Sequence, residues 1–92
     1  MRFKIAVHSG SGAPPEAIEL LARRLGPSRE ETRFSQSGSE IIATWGEDAP
    51  VAMASDEREQ VGRRAVLDIL SDVCEGTSEL KYDWYAVSAG RY

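Results

Sequence analysis

The first residues of the chain alternate between apolar and polar side chains. This alternation has a period of two and predicts a strand over residues 2–8 with one buried face. The two sets of side chains are Phe3, Ile5 and Val7 on the buried side, and Arg2, Lys4, Ala6 and His8 on the other. We expect the second set to remain open to other molecules.

A helical period follows the glycine-containing segment Ser9–Ala13. From Glu16 to Leu25 the apolar residues recur three or four positions apart, which predicts an amphipathic helix. Pro14-Pro15 suits its first turn, where an amide hydrogen has no partner within the helix. Gly26-Pro27 is expected to end it, since glycine accepts the left-handed cap and proline cannot continue a helix.

Two runs with strand character come next, separated by Ser37-Gly38-Ser39. Residues 31–36 and 40–45 both favour strands, and a short loop with glycine between them predicts a β-hairpin. The first run is polar, so we expect it at the edge of the sheet.

The second half of the chain predicts a longer helix and a last strand. Asp56 and Glu59 resemble a capping box, and an apolar stripe then continues to about Glu75, before Gly76. Alternation returns from Trp84 to Arg91. Pro50 argues for a loop before the longer helix, although Val51–Ala54 could extend the sheet as a short strand.

The order of elements is therefore strand, helix, hairpin, helix, strand within one domain, residues 1–92. Because crossover connections are right-handed, this order favours an α+β fold, the ferredoxin-like βαββαβ two-layer sandwich. It would have a four-stranded antiparallel sheet with both helices on one face. The alternative is a small open α/β sandwich in which Val51–Ala54 adds a fifth strand.

Charge and cysteine content narrow the classes of function. The net charge is −4, and no segment concentrates the 11 Lys and Arg residues, so nucleic acid is a disfavoured partner. The single cysteine, Cys74, permits no internal disulfide and no thiolate zinc site, which favours a reducing, cytoplasmic location. No apolar run approaches the roughly 20 residues of a membrane span, so we expect no membrane partner.

The open side of the predicted sheet is the first candidate site. It would present Lys4 and His8 from the first strand and Trp84 from the last. The strand over residues 40–45 would add either Ile41, Ala43 and Trp45 or Ile42 and Thr44, and its pattern fits both. Small residues beside tryptophan are typical of an interface or the floor of a binding site.

The loop after the first strand is the second candidate site. Ser9 and Ser11 precede a helix N-terminus, where free amides and the helix dipole favour a small anionic ligand. A plain flexible turn explains the same residues without a ligand. His8, the only histidine, is the one candidate for a general base, although a structural role is the simpler interpretation.

These features predict a small non-enzymatic interaction or ligand-binding module. Its partner would be a second copy, bound through the open sheet face or an edge strand, or another protein. The alternative is a small cofactor-independent enzyme of the dimeric ferredoxin-like kind, with His8 as base and Trp45, Trp84 or Tyr85 as pocket walls. Neither hypothesis involves a metal or a cofactor.

Overall fold

The computed structural model describes residues 1–46 and 55–90. They form a five-stranded antiparallel sheet and two α-helices. In chain order the elements are β1 (Arg2–Val7), α1 (Ala17–Leu25), β2 (Ser28–Arg29), β3 (Thr32–Ser37), β4 (Glu40–Trp45), α2 (Ser55–Glu75), a 3-10 turn (Tyr82–Trp84) and β5 (Tyr85–Gly90). The segment Val51–Ala54, with its possible extra strand, and Arg91 lie outside the described residues.

The strands lie in the order β2-β3-β4-β1-β5, and every neighbouring pair is antiparallel. The predicted number of four strands was wrong, because Ser28 and Arg29 form an additional strand beside β3. β2 pairs only with Thr32 and Arg33, so only the later part of β3 lies at the edge of the sheet, where the whole strand was predicted. A two-residue strand produces no alternation that a sequence pattern can reveal.

Both helices contribute to a single core on one side of the sheet. Alternate residues of β1 and β4 supply its floor, and α1 and α2 cover it with their apolar stripes. The members with the least exposure are Phe3, Ile5, Ala17, Ile18, Leu21, Leu25, Ile41, Ala43, Val66 and Leu70. The predicted inward side of the first strand is confirmed for Phe3 and Ile5, whereas Val7 is 39% exposed at the end of the strand.

Glycines end α1 and form the tight turn of the hairpin. Gly26 follows α1 with a φ of +73°, and its N–H donates to the Ala22 carbonyl at 3.1 Å. Gly38, with a φ of +61°, takes the first position of the two-residue loop between β3 and β4, where type II′ hairpins place glycine. The Ser37 predicted for this loop belongs to β3.

The last strand begins one residue later than predicted. Trp84 closes the 3-10 turn, and Tyr85 opens β5 with its ring directed to the core side. The Tyr85 hydroxyl donates to the Ala17 carbonyl at 2.8 Å, which ties the last strand to the first turn of α1.

Candidate functional site

The side of the sheet opposite the helices is exposed, and we call it the open face. Its members follow from the register, because residues opposite each other in neighbouring strands point to the same side. They are Arg2, Lys4 and Ala6 of β1, Arg33, Ser35 and Ser37 of β3, Glu40, Ile42 and Thr44 of β4, and Ala86 and Ser88 of β5. Of the two orientations left open for β4, the structure has the one that exposes Ile42 and Thr44.

The charges on the open face are arranged in rows across the strands. Thr44 lies opposite Arg33 on one side and Arg2 on the other, so two arginines flank one threonine in a single row. Two strand spacings separate their backbones by about 10 Å. Lys4 lies in the next row and contacts Glu40 with its Nζ 3.2 Å from the carboxylate. Among the described residues, the basic side chains of Arg2, Lys4 and Arg33 therefore share this face with the carboxylate of Glu40.

The remaining side chains of the open face are small. Ser35, Ser37, Ala86 and Ser88 are all exposed and rise little above the backbone, and Ile42 is half-buried among them. The face is therefore a shallow surface from which the arginines project. Their positive charge contrasts with the net charge of −4 of the chain as a whole.

Trp45 is not on the open face. Its side chain lies on the helix side, where a β-carbon built on Gly62 would be 2.9 Å from its ring. Its backbone N–H donates to the Met1 carbonyl at 2.8 Å, at the start of β1. A sequence in which both Ile41 and Ile42 are apolar leaves the orientation of this strand undetermined.

His8 and Trp84 lie together at the opposite end of β1. The His8 backbone N–H donates to the Trp84 carbonyl at 2.6 Å, which extends the β1–β5 ladder by one pair. The Trp84 ring packs edge-on against Tyr85, with 6.2 Å between ring centroids, and it borders the core instead of the open face. Trp45 lies beside Met1, which is seven residues before His8. The backbones of Trp45 and His8 are therefore about 24 Å apart, so the two cannot line one small pocket.

The loop after β1 forms hydrogen bonds within itself. The Ser11 N–H donates to the His8 carbonyl at 3.2 Å, and the Ser11 hydroxyl accepts the Ala13 N–H at 3.3 Å. His8 and Ser9 are exposed. These bonds account for Ser11 as a turn residue, and the anionic ligand predicted for this loop stays a prediction.

A cavity of about 220 Å³ lies beside the first turn of α1. Val7, Pro15 and Ile18 form its apolar part, and the carboxylates of Glu19 and Glu40 also line it. Those carboxylates oppose the binding of an anion there. His8 is not among the lining residues, so this cavity does not provide the pocket that the enzyme hypothesis requires.

A larger, open groove of about 690 Å³ separates the β2–β3 turn from α2. Arg29 and Asp72 bridge it, with 3.3 Å between the guanidinium and the carboxylate. Within residues 1–46 and 55–90, no group of three His, Cys, Asp or Glu side chains is placed to hold a metal ion.

Two ionisable groups with shifted pKa values lie inside the fold, away from the open face. Burial raises the pKa of Tyr85 to about 12, and the nearby Cys74 adds to this effect. Burial also raises the pKa of the Cys74 thiol. Both groups therefore stay protonated at neutral pH and act as packing side chains.

No protein-family description matches this chain, and neither a curated protein nor a solved structure matches it significantly. In the part of the chain that the structure describes, neither helix is long and apolar enough to cross a membrane.

Proposed function

We propose that this chain is a non-enzymatic binding module whose open face holds an acidic surface of a partner protein. The scaffold is a ferredoxin-like two-layer sandwich with one added edge strand, and the protein works in the cytoplasm. The single cysteine supports that location.

One observation carries the proposal: Arg2 and Arg33 flank Thr44 in one row of an exposed sheet face. Arginine presents several donors in a fixed plane and is the side chain best suited to bind carboxylates in pairs. The small side chains beside the row leave room for a partner to approach this part of the sheet.

Charge favours a different protein over a second copy at this face. Two stacked open faces would bring the arginine rows of both copies together, and like charges that face each other repel. A partner that presents several Asp or Glu residues gains attraction instead. His8 is exposed and does not line the cavity next to α1, so this proposal gives it no role.

A photo-crosslinking residue at Ser35 tests the proposal, with Gln60 as the matched control. Ser35 is exposed on the open face, and Gln60 is exposed on α2. We expect a specific crosslinked protein from position 35 and none from position 60. The double variant Arg2→Glu/Arg33→Glu should abolish this product while the chain stays folded.

The identified partner then binds the purified chain in calorimetry at two salt concentrations. We expect the affinity to fall as the salt concentration rises. In the double variant the affinity should be lower by about tenfold or more. Crosslinking from position 60 alone, or binding that is unaffected by both charge reversals, would show that the open face is not the site.

A further inference from the structure

The two margins of the sheet differ in their capacity to accept another strand. One margin is divided between β2, which has two residues, and the part of β3 beyond Arg33, whereas β5 alone forms the other margin with six residues. The sequence of β5, Tyr85–Gly90, contains no charge and no proline. Long, uncharged margins are the ones that pair with further strands.

The hydrogen-bond pattern identifies the backbone groups that β5 directs outward. The His8 N–H bonds the Trp84 carbonyl, so every second pair from there along the β1–β5 ladder is hydrogen-bonded. Ser88 therefore bonds β1, while the N–H and C=O groups of Val87 and Ala89 point away from the sheet. The Tyr85 N–H also points away, but it already donates to the Tyr82 carbonyl.

One of the outward carbonyls already has a partner from α2. Arg63 Nη1 donates to the Val87 carbonyl at 2.7 Å, a short charge-assisted hydrogen bond. This bond confirms that Val87 directs its carbonyl away from β1. It also places a positive charge at the middle of this uninterrupted six-residue margin.

We propose that β5 pairs with β5 of a second copy, antiparallel about a two-fold axis at Ser88, and that Arg63 weakens this pairing. In this register Val87 of each copy lies opposite Ala89 of the other. The outward groups of both residues are then satisfied by four interchain hydrogen bonds. Two of the four use the Val87 carbonyls that Arg63 occupies, so the side chain competes with the second copy.

The second copy fits this margin better than an unrelated peptide does. An isologous interface uses the same residues in both copies. Here the N–H and C=O groups of Val87 in one copy meet those of Ala89 in the other, and the reverse pair forms at the same time. Ser88 at the axis is small enough for two strands to approach, and β5 brings no charge to the contact. The pairing uses the margin of the sheet and leaves the open face exposed.

Sedimentation velocity over a range of concentrations tests the role of Arg63. Arg63→Gln removes the charge, and Arg64→Gln is the matched control, because Arg64 is exposed and faces Asp68 instead of β5. We expect the dimer of Arg63→Gln to be about tenfold tighter than that of the native chain. The control should match the native chain. If Arg63→Gln stays monomeric up to about 1 mM, the proposal is wrong.

Ala89→Pro in the Arg63→Gln background tests the strand pairing itself. It removes an N–H that points away from β1, so we expect the fold to survive by circular dichroism and the dimer to disappear. If the proline variant does not fold, Ala89→Lys replaces it, with Ser35→Lys as its control on β3. A dimer that survives Ala89→Lys rules out this register. Neither substitution at position 89 alters Arg2 or Arg33, so the crosslinking test of the open face is independent of this one.

Discussion

Gly62 of α2 lies directly against the ring of Phe3 in β1. A β-carbon built on Gly62 would be 2.8 Å from Phe3 Cε2 and 2.9 Å from the Trp45 ring, closer than real side chains approach each other. Phe3 is fully buried, so its ring can move only by displacing other side chains of the close-packed core. The helix reaches the sheet here only because this residue has no side chain.

Gly62→Ala is therefore expected to destabilise the fold, although alanine is the better helix former. The clash should cost about 1–3 kcal/mol, which exceeds the helix propensity gain of roughly 1 kcal/mol. Urea unfolding followed by circular dichroism measures the difference. Gly76→Ala is the control, because the nearest atom to its new β-carbon is 3.4 Å away and it follows the helix. Equal midpoints for the two variants would contradict the close packing.

Glu30→Gly is expected to stabilise the chain. Glu30 has a φ of +52° in the turn between β2 and β3, a left-handed conformation that costs a side-chain-bearing residue about 1 kcal/mol. Glycine adopts it without this cost. Glu31→Gly is the control, because it removes the same charge at a residue whose φ is not positive. A higher urea midpoint for Glu30→Gly than for Glu31→Gly is the expected result, and the reverse order would refute it.

Tyr85 is expected to make stability depend on pH in the alkaline range. Its pKa rises from the ordinary 10.0 to about 12 because of burial, so the folded chain holds the phenolic proton more tightly than the unfolded chain. This contribution is complete below about pH 10 and is lost as the pH rises through 12. In a pH titration followed by tyrosinate absorbance, the step near pH 12 should be absent from Tyr85→Phe and present in Tyr82→Phe.

The same substitution removes a buried hydrogen bond. Tyr85→Phe deletes the hydroxyl that donates to the Ala17 carbonyl, and we expect a loss of about 1 kcal/mol in unfolding free energy at pH 7. Tyr82→Phe, at an exposed position, should change it little. Equal stabilities for the two variants would show that the bond to α1 contributes nothing.

Cys74 is expected to resist thiol reagents in the folded chain. It is buried, its pKa is raised, and it is the only thiol of the chain, so the reaction has one source. Ellman's reagent at pH 8 should react at the rate of unfolding, and urea should accelerate the reaction along the unfolding curve. Fast modification in buffer alone would mean that the end of α2 opens readily.

The sequence predicted the parts of the fold that depend on repeated local patterns. The apolar period of α1 and its end at Gly26 are confirmed, as is the inward side of β1 at Phe3 and Ile5. β2 escaped prediction because it depends on a turn at Glu30 and on the hydrogen bond from the Phe34 N–H to the Pro27 carbonyl. Neither contact repeats along the chain.

The candidate site was predictable only in part, for a similar reason. The open position of Lys4 follows from alternation, but that of Arg33 depends on pairing with β4, whose orientation the sequence left open. The sequence leaves the face of Trp45 open, because both orientations of residues 40–45 fit the pattern. The bond from Arg63 to Val87 joins residues distant in the chain, and no local pattern marks it.

The shortness of β2 has a consequence for the size of any assembly. β2 interrupts the margin opposite β5, so among the described strands a dimer joined at β5 has no second uninterrupted strand of six residues with which to grow. The assembly would close at two chains instead of extending into a fibre. Because the two-fold axis is perpendicular to the sheet, both arginine rows would then point the same way, and a ligand with two acidic segments would gain by avidity.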